Sequence, residues 1–166
     1  MAIYKLATIE DLKYIGYLRQ KIWNSTYRGI YDNEWIDHFD FAHHERNDLL
    51  KLQNPDFYVY LILENNNKIG YFMFSKEVPC RYKDLTVCLN ALYILPDFQG
   101  KGIGFEGIEI IKEYCKIHGI NKFYNQCNAH NSKAISFYKK IGGIIGHKDM
   151  GNAYKYEDSI WFEYHI

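Results

Sequence analysis

Three glycines at alternate positions, in Gln99-Gly100-Lys101-Gly102-Ile103-Gly104, constrain this chain more than any other stretch. The run before them, Leu89 to Leu95, reads as a strand, and the run after them reads as a helix. Glycines at a strand-to-helix junction leave backbone N–H groups uncovered, at a helix end where the summed peptide dipole favours negative charge. The arrangement points to a phosphate-bearing ligand.

Two phosphate motifs can be tested against the residues. A P-loop requires Gly-Lys-Ser or Gly-Lys-Thr, so that a hydroxyl can hold Mg²⁺, and the chain has neither. A dinucleotide fingerprint requires G-x-G-x-x-G, and Gly102-x-Gly104-x-x-Gly107 matches the string. That fingerprint usually opens its domain, whereas here it lies two-thirds of the way along and leaves little room for the parallel strands that should follow.

A third pattern fits better. Gln99-x-x-Gly102-x-Gly104 resembles the Q/R-x-x-G-x-G/A acetyl-CoA signature of the GNAT N-acetyltransferase superfamily. Asn131-x-x-Ala134-x-x-Phe137-Tyr138-x-x-x-Gly142 resembles its second landmark, and Trp23-x-x-x-Tyr27-Arg28-Gly29-Ile30 is similar to the first-helix substrate region of many small-molecule members. The three stand in the expected order over nearly the whole chain. The resemblance implies an α+β fold over residues 1–166 as one domain. Its centre is a single mixed, mostly antiparallel sheet of six to seven strands, flanked by helices.

Hydrophobic patterning gives the order of elements. Ile3 to Leu6 reads as a strand, and Thr8 with Asp11 three residues on reads as the cap of a first helix. That helix carries Leu12, Ile15, Leu18 and Ile22 at helical spacing, with Gly29 as its stop. Helical segments over Asn33–His38 and His43–Leu52 follow. Phe57–Leu63 and Lys68–Phe74 form a predicted hairpin around Asn65-Asn66-Asn67. The fourth strand is predicted over Thr86–Leu95. The helix after the glycines presents Gly104, Ile108, Ile111, Cys115 and His118 on one face, with Gly119 ending it. A strand over Lys122–Cys127, a helix over Ser132–Ile141 and a period-two strand over Ser159–Ile166 complete the chain.

Composition excludes several functions. The 166 residues carry 20 basic and 20 acidic side chains, so no net charge recruits nucleic acid. Cys80, Cys88, Cys115 and Cys127 lack zinc-ligand spacing, and no His/Asp/Glu cluster suggests a metal. No run approaches membrane-spanning length and the first residues lack a signal-peptide core, so cytoplasm is the expected location. The 16 tyrosines, 10 phenylalanines and 3 tryptophans suit a tyrosine-lined pocket, a homodimer face, or both.

The glycine loop, with the backbone of Gly100, Lys101, Gly102, Ile103, Gly104 and Phe105, is the candidate pyrophosphate cradle for acetyl-CoA. By resemblance, Gln99 belongs to the same signature and Leu92, Tyr93 and Ile94 offer backbone to the pantetheine arm. Asn131 would order that arm, and is equally a good helix N-cap. Tyr138 is assigned by resemblance as the general acid at the departing thiolate. Its place among Ala134, Phe137 and Ile141 also suits a core aromatic. A tyrosine near pKa 10 and a thiol near 8.5 make full proton transfer uphill by about 2 kcal/mol, which favours hydrogen-bond stabilisation before transfer. Trp23, Tyr27 and Tyr31 are candidates for the acceptor pocket, through cation–π contact and hydrogen bonding, with core packing as their other reading.

The expected activity is transfer of acetyl from acetyl-CoA to a primary amine of a small molecule, by direct attack in a ternary complex. The alternatives are a peptide or protein amine, or a non-catalytic acyl-CoA-binding module. Three departures from the family pattern stand out. Phe105 is bulky for its position, and Gly143 stands where the family pattern has Phe, so that a core contact is either missing or supplied elsewhere, with Ile144 the candidate. Asn90, expected at the acceptor, lies where many relatives carry a Glu. An amide accepts no proton, and an alkylamine is neutral only about 4 parts in 10,000 at pH 7, a cost of about 4.6 kcal/mol. Water, Asp32, Glu34 or Glu77 are the candidate bases, unless the acceptor has a low pKa.

Overall fold

The structure, a computed structural model, describes residues 1–76 and 87–166. Cys80, Glu77 and the Thr86 start of the predicted fourth strand lie outside the described residues. In chain order the elements are β1 (Ile3–Leu6), α1 (Leu12–Thr26), α2 (Asn33–Asp37), α3 (Phe41–Gln53), β2 (Phe57–Glu64) and β3 (Asn67–Ser75). Then come β4 (Cys88–Ile94), α4 (Ile103–Ile117), β5 (Lys122–Asn128), α5 (Ser132–Lys140), β6 (Ile144–Asp149) and β7 (Ser159–His165).

One seven-stranded sheet runs in the order β1-β2-β3-β4-β5-β7-β6. Every neighbouring pair is antiparallel except β4 and β5. The β2–β3 hairpin closes on two residues, Asn65 and Asn66, at φ 50° and 62°, the left-handed pair that a tight hairpin turn requires. Asn67, expected in the turn, already pairs with Glu64.

The sheet has a core on each face. Against one, α4 packs Ile103, Ile108, Ile111 and Cys115 and α5 packs Tyr138, over Phe72, Phe74, Phe123 and Phe162. Against the other, α1 packs Ile15, Leu18 and Ile22 over Val59, Leu61, Tyr71 and Met73. Behind α1, the Arg19 guanidinium donates two bonds to the Asp48 carboxylate of α3, at 2.7 and 2.9 Å, and a third to the Tyr71 hydroxyl at 2.9 Å. Arg19 and Asp48 are 5% and 2% exposed. A charge pair this deep is tolerable only because its hydrogen bonds are made.

Four expectations need correction. Helix α1 ends at Thr26, because the chain turns at Tyr27 and Gly29 sits in the following turn rather than at the helix end. His118 is off the apolar face: it follows the last residue of α4, its backbone leaves helical phase, and it is exposed. Strand β6 was not expected from the pattern; Ile144-Ile145-Gly146-His147-Lys148-Asp149 is an edge strand with little burial to impose alternation. Ile144, the candidate to replace a lost core contact beside Gly143, is 59% exposed. The space is filled by Tyr164: a Cβ on Gly143 would lie 2.7 Å from the Tyr138 carbonyl oxygen and 2.9 Å from the Tyr164 ring.

Candidate active site

The parallel joint between β4 and β5 is short. Among the described residues only Cys88 with Tyr124 and Leu89 with Asn125 are in register, and pairing does not continue past Leu89. Immediately beyond, Asn90 is skipped by the β3 register, which passes from Phe74–Leu89 to Met73–Ala91, so a β-bulge sits at the mouth of the gap. From Asn90 to Ile94 the β5-side edge of β4 has no ladder partner. A cavity of about 570 Å³ opens at this gap.

The glycine loop lies at one end of β4. Gln99 turns back and donates its amide to the Ile94 carbonyl at 2.8 Å, which ties the loop to the strand end. Gly100 and Gly102 adopt φ 75° and 85°, with no atom within 4 Å of where a Cβ would stand. Gly104 is different: a Cβ there would come within 3.1 Å of the Phe137 ring, so its role is to let α4 approach α5. The first N–H at this end with a helical partner is that of Glu106, to the Gly102 carbonyl at 3.1 Å. The amides of Ile103, Gly104 and Phe105 precede it and have no intrahelical acceptor. The residues therefore fit a pyrophosphate: bare amides, open space and a helix N-terminus together. Phe105 is 49% exposed, with its ring 5.8 Å from the Lys112 ammonium, so it flanks this cradle without being buried. The Lys101 ammonium rests 5.0 Å from the Phe98 ring.

On the next helix, Asn131 caps α5 by accepting the Ala134 N–H at 3.1 Å. Tyr138 is 8% exposed, with its ring 5.5 Å from Phe162. Its hydroxyl is pushed well above the usual tyrosine range, chiefly by burial and further by Cys127, Tyr93 and Cys88. All three of those residues line the cavity; Tyr138 itself is not among its lining residues, and its hydroxyl stays protonated.

The opposite wall is aromatic. Tyr27 and Tyr31 line the cavity and stack at 4.5 Å, 12° from parallel. Burial raises both hydroxyls, that of Tyr31 to about 12, and a hydrogen bond with Tyr93 adds to the rise at Tyr27. Trp23 does not line the cavity. It stands behind, edge-on to Tyr27, Tyr31, Phe39 and His44 at 5.3–5.9 Å, and donates its indole N–H to the Tyr93 hydroxyl at 3.3 Å. The Tyr93 side chain thus belongs to the aromatic wall of the cavity. Tyr156, from the segment between β6 and β7, closes the wall against Tyr31 at 6.3 Å and Trp35 at 4.9 Å.

Asn90 is exposed and lines the cavity. Asp32 is engaged as the N-cap of α2, accepting the Glu34 N–H at 2.9 Å, and neither Asp32 nor Glu34 lines the cavity. The carboxylate that does line it is Asp158, which sequence reasoning missed along with Tyr124, Gln126, Tyr156 and Trp161. The alternation of β5 carried a signal for two of these. Phe123 packs into the α4–α5 core, so Tyr124 and Gln126 must face the other way. Among the described residues no three His, Cys, Asp or Glu side chains are grouped to hold a metal ion.

A model of the acetyltransferase (GNAT) family matches residues 20–143. Among solved structures, the fold is similar to PaiA N-acetyltransferase from Thermoplasma acidophilum in complex with coenzyme A, at TM-score 0.81 and 21% identity, covering 100% of this chain and 99% of that one. It is also similar to a spermidine N-acetyltransferase SpeG chimera of the Vibrio cholerae enzyme and hSSAT, at 0.71 and 18%, covering 99% and 95%. The ribosomal-protein-S18-alanine N-acetyltransferase from Escherichia coli aligns at 0.72 and 16%, covering 100% and 94%.

Proposed function

The chain belongs to the acetyltransferase (GNAT) family, and on that premise we propose that it moves the acetyl group of acetyl-CoA onto a primary amine of a small molecule. The observation that carries the reading is the cleft. Its volume of about 570 Å³ lies in the range of small-ligand sites, and its walls are tyrosines and amides. Tyr27 and Tyr31 line the cleft where β4 and β5 stop pairing, and the glycine loop follows the far end of the same β4.

Acetyl-CoA supplies an activated thioester, so the protein's contribution is placement and charge stabilisation. The Ile103, Gly104 and Phe105 amides hold the pyrophosphate, and the unladdered edge of β4 at Leu92 to Ile94 holds the arm. That edge offers less than three full residues of backbone, because the Ile94 carbonyl is already taken by Gln99. The amine enters between Tyr27, Tyr31 and Asn90 and attacks the thioester carbon directly, expelling the thiolate. Tyr138 donates a hydrogen bond to that sulfur. Its raised pKa makes complete proton transfer more uphill than for a free tyrosine, so stabilisation of the thiolate comes first and protonation late. Asn131 supports the arm through its place at the α5 N-terminus. Water carries off the amine proton, since Asn90 accepts none. The reaction takes place in the cytoplasm, and no described helix is long and apolar enough to cross a membrane.

The test is thiol release from acetyl-CoA with a panel of small amines and free-amino peptides. Tyr138→Phe should lower kcat by roughly 10²-fold, general acid catalysis being commonly worth 10²–10⁴, with KM for acetyl-CoA little changed. Unchanged turnover would remove Tyr138 from the chemistry. Release with peptides alone would move the acceptor to a polypeptide, and tight coenzyme binding without release would leave a binding module.

A further inference from the structure

Among the described residues lining the cleft, Asp158 alone carries a formal charge; the others are tyrosines, Trp161, amides, thiols, Leu89 and Ser159. It is 6% exposed. One carboxylate oxygen lies 2.8 Å from His130 Nε2, and the other accepts the backbone and side-chain N–H groups of Asn152, both at 3.0 Å. Its one ion-pair partner among the described residues is that imidazole, which is cationic only when protonated. A carboxylate this enclosed, with no lysine or arginine paired to it among the described residues, leaves its negative charge without an ionic partner there when His130 is neutral. Three of its roughly four acceptor positions are used. Its place is fixed from both sides, by the Ala129 N–H to its carbonyl at 3.0 Å and by the Asn128 amide to the Lys155 carbonyl at 2.8 Å.

We propose that Asp158 is the cation anchor of the acceptor site, and that the acceptor carries a second, non-reacting ammonium that it holds. The inference rests on the reading that the cleft takes the acceptor amine. An ammonium paired with a carboxylate is held in its charged form, and a charged amine has no lone pair for attack. The group bound at Asp158 therefore cannot be the group acetylated, and the smallest acceptor that satisfies both is a diamine. The neighbouring rings, Tyr156 two residues away and the stacked Tyr27–Tyr31 pair, present π-faces that favour a cation as well.

The experiment compares 1,4-diaminobutane with 4-amino-1-butanol, which replaces the second ammonium by a hydroxyl, in thiol release and in calorimetric titration of the coenzyme A-saturated protein. The native protein should prefer the diamine, and Asp158→Asn should lower kcat/KM for the diamine by about thirtyfold or more, through KM, and abolish the preference. KM for acetyl-CoA should not move. Asn152→Ala, which removes a brace but not the charge, should keep the preference, as should Asp158→Glu if the asparagine variant does not fold. Equal losses for both amines, or a raised KM for acetyl-CoA, would make Asp158 a structural clip and overturn the proposal. If neither amine is acetylated, the acceptor class proposed above fails. The calorimetric preference then decides the anchor, and no preference, or no binding of either amine, overturns it.

Discussion

At the scale of single residues, position 143 shows how a family pattern can be broken and repaired. Glycine there leaves no side chain, and the Tyr164 ring from β7 occupies the place against the Tyr138 carbonyl. The Tyr164 hydroxyl donates to Asn125 at 2.7 Å, so the substitute is pinned at its far end. Gly143→Phe should therefore destabilise by about 3 kcal/mol or more in urea unfolding, because backbone and ring would both have to move. A stable Gly143→Phe variant would mean that Tyr164 swings away easily. The sequence shows that a contact is lost but not what replaces it. Ile144 is adjacent in the chain and Tyr164 is not, and period-two patterning says only that Tyr164 faces a core.

Elements were legible where burial imposes a period and obscure where it does not. The α4 face as far as Cys115, the Asn65-Asn66 turn and the alternation of β7 all follow from local rules that packing then confirms. Edge strand β6 has no buried face to advertise, so its six residues resemble a loop. Helix α3 illustrates a different limit. Its docking depends on Asp48 reaching Arg19 and on His44 stacking on Phe39 at 4.5 Å, contacts invisible in a one-dimensional pattern. Burial, with Arg19 nearby, pushes His44 down from 6.5 to about 4. The native state keeps the ring neutral, while the unfolded chain takes up a proton near 6.5. Stability is full above that value, falls as pH drops from about 6.5 toward 4, and levels off below. Urea unfolding at pH 7 and pH 5 should show a loss of ~1 kcal/mol that His44→Gln lacks, the half-exposed ring being partly screened by water. Asp11 and Asp158 are shifted downward from 3.8, so their loss of stability falls at lower pH, outside this window. An equal loss in the variant would assign the effect elsewhere.

For the whole molecule, the glycine loop and the helix after it announced one side of the site, and the first-helix tyrosines part of the other. The cleft beside those tyrosines did not announce itself, because it is made by strands that stop pairing and not by any run of residues. Asp158 and Tyr156 reach it from a segment that carries no motif. Acetyl-CoA at a hundredfold excess over Kd should stabilise the protein by about 2.7 kcal/mol, read as a rise in melting temperature. A larger rise with NAD would argue for the dinucleotide fingerprint instead.

The two-residue joint between β4 and β5 has a consequence of its own. Strands β1 to β4 form one leaf with α1 and α3, β5 to β7 form another, and the backbone seam between them is two pairs long among the described residues. Such a sheet is a book with most of its spine missing, and an extended arm laid along the bare edge of β4 serves as binding thread. Amide exchange along Asn90–Ile94 should then be faster at the N–H groups that face the gap than at those bonded to β3, and should slow at the gap-facing ones when coenzyme A is added. Each turnover would loosen and re-sew that edge, while the core under α4 and α5, which spans both leaves, keeps them together.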